Sequence, residues 1–338
     1  MNTRLLLSLS ALSALSLSAV MPAKTLAAAP ATPNELGRVP VMEYHRFGKV
    51  EDRWTRTYDH FRQDLAYLYN NGYVAVPASA LSSGKIDVPA GKKPVVFTFD
   101  DSSAEQFIFQ HDARGNVRRD AKGNPLVEPD CAVGILDAFV AKHPDFGRAA
   151  TFYTLPNAFE VPKEAGDKLR YLLATGREIG NHTYNHNSMK KLSTAKIVSE
   201  MSMAQDEVAR ELGRTYHLTT LALPFGIYPK DAAGAQAVIA GGSGASAYRN
   251  TAVFLVGADP APSPFDKKYN FMKVPRIQGI DDEWKRHFRR TPGSTAPSEE
   301  AFRPYVSDGN PTTVIVPAKL KDRLNPAALG GRKAIVQS

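Results

Sequence analysis

The sequence predicts an α/β domain in which parallel strands alternate with crossover helices, wound either into an open sheet covered on both faces or into a barrel. Three observations carry this. Short β-branched and aromatic runs alternate with longer stretches whose apolar residues recur at helical spacing, as in successive βαβ units. The 338 residues are 43% hydrophobic and 22% charged, the composition of a globular protein able to bury a sizeable core. No low-complexity linker divides the middle, so one domain is expected over residues 39–317.

Arg4 precedes an apolar, serine-diluted run from Leu5 to Val20, and Ala27, Ala28 and Ala29 follow. This order of charged, apolar and small residues is that of a secretory signal peptide, residues 1–29, with residues 30–38 as a linker. The run is short for a span of about 20 residues, and no later run is long enough to cross a bilayer. A mature protein without an integral membrane segment is therefore expected, secreted, periplasmic or associated with the cell wall. Cys131 is the only cysteine, which excludes an intramolecular disulfide and suits a small buried side chain. The net charge of +8, from 42 basic and 34 acidic residues, favours anionic wall polymers or membrane surfaces at long range. A nucleic-acid partner is not expected. Arg286, Arg289 and Arg290 read as a solvated helix face or as substrate contacts.

Strands are expected at Val39 to Tyr44, Val95 to Phe99, Ala150 to Tyr153, Thr219 to Leu223, Ala252 to Val256 and Thr313 to Val316. Helices are expected at Asp59 to Asn71, Ala132 to Lys142, Lys168 to Thr175 and Thr194 to Leu212. Residues 114–129, with their Arg-Gly-Asn and Lys-Gly-Asn turn signals, read as a surface hairpin bordering the substrate cleft. Residues 291–300, rich in Pro, Ser and Thr, read as a loop. The basic tail 318–338, with its Gly-Gly pair, is expected to be poorly ordered or to lie on the surface.

Three segments carry chemistry. The apolar run Val95 to Phe99 leads directly into Asp100 and Asp101. Successive strand side chains point to opposite faces, so both acids serve one site only if the strand ends or bends between them; the bland alternative is a solvent-facing turn. His182 and His186 stand four apart and would share the face of a helical turn, reaching one cation. With a carboxylate they would make a three-ligand zinc site with a position left open. Leu221 to Gly226 is a strand that stops at Pro224 and turns at Gly226, able to aim the Phe225 N–H into a site or simply ending a strand.

Together and in this order, Thr-Phe-Asp-Asp (Thr98 to Asp101), His-Thr-x-x-His (His182 to His186) and Pro-Phe-Gly (Pro224 to Gly226) resemble the polysaccharide deacetylase family, carbohydrate esterase family four. Val41 to His45 and Val274 to Ile277 extend the likeness over roughly Val39 to Val316. The resemblance implies a distorted (β/α) barrel with fewer than eight strands. It implies Asp100 as general base and Asp101, His182 and His186 as ligands of a divalent metal, zinc first, with cobalt, nickel or manganese as alternatives. The oxyanion would lie against the metal and the Phe225 N–H, and the substrate would be an acetylated polysaccharide.

The chain departs from the family pattern twice. Leu221, Ala222 and Leu223 stand where an Arg often orients the base, leaving Arg276 as the candidate substitute. The strand expected last ends in Pro317 where a His commonly serves as general acid, leaving His45, with His287 behind it, for that role. Trp284 is the candidate for stacking on a sugar ring, or else a packed aromatic. The leading expectation is an exported N-deacetylase of peptidoglycan, an exopolysaccharide or a chitin-like polymer. The alternatives are a catalytically silent carbohydrate-binding protein on the same fold, a hydrolase of another amide or ester, and a non-haem iron oxygenase, which shares two His and one carboxylate.

Overall fold

The computed structural model describes residues 32–213, 215–257, 259–288 and 303–338. The proposed signal peptide, the loop 291–300, and Arg289 and Arg290 lie outside them.

Eight strands form one parallel sheet: β1 (Val41–Tyr44), β2 (Tyr73–Val76), β3 (Lys93–Phe99), β4 (Thr151–Thr154), β5 (Glu178–Asn181), β6 (Thr220–Ala222), β7 (Ala252–Phe254) and β8 (Ile277–Gln278). The order runs β7-β6-β5-β4-β3-β1-β8, with β2 alongside the first half of β3. Residues 274–278 then close the ring. Val274 bridges Phe254 of β7 in parallel, while Ile277 and Gln278 pair with Met42 and Glu43 of β1. The result is the distorted barrel of fewer than eight strands around its circumference.

Period-two alternation sorts β3 between two cores. Val95, Phe97 and Phe99 pack with Phe61, Leu65 and Leu68 of helix α1 (Tyr58–Asn70) and with Ile135 and Leu136 of α2 (Ala132–Lys142). Val96 faces the inner cluster with Val41, Tyr153 and Phe254. Thr98 and Asp100 continue that inner row beyond Val96, both buried. The remaining long helices, α3 (Ala165–Ala174) and α4 (Thr194–Leu212), follow β4 and β5. Helix α4 starts where Ser193 accepts the Lys196 N–H, and buries Ile197, Met201, Ala204 and Val208 at helical spacing.

The structure revises two expectations. Thr313–Pro317 (β9) does not join the barrel; it pairs in parallel with Lys333–Gln337 (β10), an element of the tail. Residues 318–338 thus fold onto the surface through two 3₁₀ turns and β10, since β9 buries Val314 and Val316 in the inner core and offers β10 its outer edge. The 114–129 segment is a three-limbed meander, bridged at Phe109–Val127, His111–Val117 and Arg119–Pro125. It contributes no lining residue to the cavity described below.

Candidate active site

The first acid pair sits where β3 ends. Asp100 still donates its N–H to the Tyr44 carbonyl (2.9 Å), but Asp101 and Ser102 have φ of 70° and 48°. Two consecutive left-handed residues bend the chain sharply, which lets both carboxylates face one site despite their adjacency. The Ser102 hydroxyl secures the bend by accepting the Leu155 N–H at 3.1 Å.

His182 and His186 come from a loop rather than the expected helical turn. Strand β5 runs through Gly180, where a Cβ would meet the Tyr153 ring at 2.2 Å, and ends at Asn181. Thr183 and His186 then take φ of 67° and 52°. The loop is held from within by Asn181 Oδ1, which accepts the Thr183 N–H at 2.7 Å, and by Thr183 Oγ1, which accepts the His186 N–H at 3.1 Å. From outside, buried Glu200 of α4 accepts the Asn185 N–H and side-chain amide, both at 2.8 Å, and Asn187 Nδ2 at 3.2 Å. The i,i+4 spacing is therefore satisfied by a braced loop in place of a helix.

Three donors converge. His182 Nδ1 is 2.8 Å from the Ala222 carbonyl oxygen, which only accepts, so Nδ1 carries the proton and Nε2 turns to Asp101 Oδ1 at 3.1 Å. His186 Nε2 is 3.5 Å from the same oxygen. A tetrahedral ion with bonds of ~2.0–2.2 Å keeps its ligands ~3.3 Å apart. One carboxylate and two imidazoles at these separations suit a divalent metal, and the carbonyl behind His182 is the usual second partner of a ligating His. Two further His-carboxylate groupings, Glu43–His45–Asp100 and Glu51–His60–Asp281, are already served by guanidinium groups, those of Arg276 and Arg56.

Arg276, fully buried just before β8, donates Nη1 and Nη2 to the two oxygens of Asp100 at 2.8 and 2.7 Å. It also donates Nε to the Leu255 carbonyl (2.7 Å) and approaches Glu43 at 3.3 Å. Burial alone would push the Asp100 carboxyl up; the charges of Arg276, His182 and His45 outweigh it and hold the group well below the usual carboxylate range. Asp101 follows the same balance, with His182 opposing burial. Burial would lower His182, but Asp100 and Asp101 raise it. His186 is lowered by burial and by the neighbouring His182. Glu43 is raised by burial despite Arg276.

His45, just beyond β1, brings Nε2 to 3.7 Å from Glu43 and 3.9 Å from Asp100. A cavity of about 440 Å³ opens over the group, lined by His45, Trp54, Asp100, Asp101, His182, His186 and Phe225 among others. Phe225 has φ of 59° and sets its ring 4.8 Å from that of His186. His287 does not line the cavity; it is buried, with Nε2 3.1 Å from Glu283.

Trp284 does not stack on sugar from where it lies. It is fully buried on helix α5 (Asp281–His287), 4.5 Å from the Phe288 ring and 5.9 Å from that of Tyr67. The tryptophan that lines the cavity is Trp54. Sequence reading also passed over Glu43 and Glu200. Glu43 had a signal, a charge within the otherwise uncharged strand Val41–Tyr44; Glu200 lies among the apolar positions of α4; Trp54 had none.

The fold is shared with solved deacetylases. A deacetylase from Streptococcus pyogenes, PplD, solved in complex with acetate, superposes with a TM-score of 0.52 at 19% identity, covering 73% of this chain and 93% of that one. A Bacillus anthracis protein described as a polysaccharide deacetylase gives a TM-score of 0.50 at 17% identity, over 71% of this chain and 64% of that one. At such identities the likeness is one of fold. No curated protein sequence matches the chain. The polysaccharide deacetylase family model matches residues 140–239, the stretch that holds His182, His186 and Phe225, so the resemblance drawn from the motifs holds.

Proposed function

We propose that the chain is an exported, metal-dependent hydrolase that removes N-acetyl groups from amino sugars of a polysaccharide. The observation that carries this reading is the buried Asp100 carboxylate, kept ionised by Arg276 and set beside three convergent metal donors. A protein that only bound sugar would have no use for such a base. Held by Asp101, His182 and His186, a divalent ion, zinc first, would polarise the acetyl carbonyl and bring the pKa of water from ~15.7 to about 7.

The chain's own groups supply the rest. Asp100 accepts the proton of the attacking water, a contribution of about 10²- to 10⁴-fold. Arg276 is the positioning residue, keeping both Asp100 oxygens fixed and the carboxylate charged. The Phe225 N–H would serve the developing oxyanion. His45, within 3.9 Å of Asp100, returns a proton to the departing amine. Export rests on the leader-like residues 1–29; among the described residues no helix is long and apolar enough to cross a membrane.

The test is acetate release from peptidoglycan, poly-N-acetylglucosamine and chitin oligomers by purified protein, with and without added zinc. Metal-dependent release from one polymer, lost in Asp100→Asn and His182→Ala, is expected. Zinc binding without release from any of them would point to the silent carbohydrate-binding protein.

A further inference from the structure

The groups assigned above act on the acetyl, and none holds the pyranose ring that carries it. We propose that Trp54 is the platform on which this ring stacks, an inference that rests on the deacetylase reading. Trp54 lies between the short strands Arg46–Gly48 and Thr55–Thr57, which follow β1. It lines the same cavity as Asp100, Asp101, His182 and His186. It is 39% exposed, whereas the chain's other tryptophan, Trp284, is buried. Its ring stands edge-on to His45, with centroids 4.7 Å apart, so a pyranose on the indole lies within reach of the groups around Asp100.

The platform is built to stay in place. Asp52 Oδ1 accepts the N–H groups of Trp54 and Thr55 at 2.7 and 2.8 Å, and the Trp54 carbonyl accepts the Arg46 N–H at 2.9 Å. Two residues on, Arg56 is buried against Asp64 (2.6 Å) and Asp281 (2.8 Å). The Arg53 guanidinium sits 5.0 Å over the indole. The backbone on both sides of Trp54 is thus tied down while the side chain projects into the cavity. A pyranose offers a face of C–H groups to the electron-rich face of an indole and leaves its edge hydroxyls hydrated. A ring fixed in advance adds contact at little entropic cost. The ligand class is an uncharged amino-sugar ring within a polymer, as opposed to a small acyl ester.

The full chain with zinc is assayed on chitin oligomers, poly-N-acetylglucosamine oligomers and p-nitrophenyl acetate, which has no pyranose. Trp54→Ala should lower kcat/KM on an oligomer about tenfold, chiefly through KM, with a smaller loss on the ester, and Trp54→Phe should recover most of it. Equal losses on both substrates, or an unchanged oligomer KM, would overturn the assignment. A second readout needs no turnover: oligomers should shift the tryptophan emission of the wild type and of Asp100→Asn but not of Trp54→Phe. A shift that survives in Trp54→Phe, or none with any oligomer, overturns it as well. If the wild type hydrolyses nothing while Trp54 still reports oligomer binding, the platform stands and the deacetylase reading falls.

Discussion

Replacing Arg276 with Ala isolates the interaction on which the proposed base depends. The guanidinium is wholly buried and makes two hydrogen bonds to Asp100, at 2.8 and 2.7 Å, one to the Leu255 carbonyl at 2.7 Å and one to Thr98 Oγ1 at 3.2 Å. Its removal strips the Asp100 carboxylate, which has almost no solvent contact, of its principal counter-charge, leaving His182 and His45, and takes from Glu43 the nearby guanidinium. Taking one member from such a pair costs ~3–5 kcal/mol, a large part of the ~5–15 kcal/mol that stabilises a folded protein. Urea unfolding of the variant should show a midpoint lowered to match, with unchanged slope. Asp100→Asn in the same chain removes the stranded charge, so the double variant should be more stable than Arg276→Ala alone by at least ~1 kcal/mol. A loss below ~1 kcal/mol in Arg276→Ala, or strictly additive losses in the double variant, would refute a buried, mutually dependent pair.

Zinc should raise the melting temperature of the wild type and not of His182→Ala, read by thermal unfolding with and without the metal, because only the folded donors bind it. Glu200→Ala should weaken zinc affinity ~10–100-fold, measured by competition with a chromophoric chelator, through loss of the brace on the His186 loop. Trp284→Ala should cost ~3–5 kcal/mol of stability in denaturant unfolding, the effect of emptying a core aromatic site, while leaving KM for oligomers near the wild-type value at a temperature where the variant is folded. Ending the chain after Pro317 should lower the melting temperature and raise proteolytic susceptibility, because β10 and the apolar Leu320, Leu324 and Leu329 pack on β9 and the inner core; a neutral truncation would mean the tail only rests on the surface.

Elements whose information is local were legible. Helices α2 and α4 occupy 132–142 and 194–212 as the apolar periodicity indicates, since spacing and caps act within a few residues. Strand β2, four buried residues, is too short to show a period, and β5 was hidden by the helix-like spacing of the two histidines after it. Residues 313–316 read correctly as a strand, yet a strand's pattern does not name its neighbour, and β9 pairs outside the barrel.

The site divides along the same line. The kinds of groups needed, an acid pair at a strand end, two histidines four apart and a Pro-Phe-Gly turn, are properties of short segments and stand in the chain before it folds. Their partners are not. Arg276 meets Asp100 across 176 positions, and His182 finds the Ala222 carbonyl across 40. Of two tryptophans with nothing nearby to tell them apart, one fills the core and the other faces the cavity. Residue chemistry is carried by the sequence locally, whereas burial, charge partners and exposure arise only when closure of the barrel brings distant strand ends to one rim.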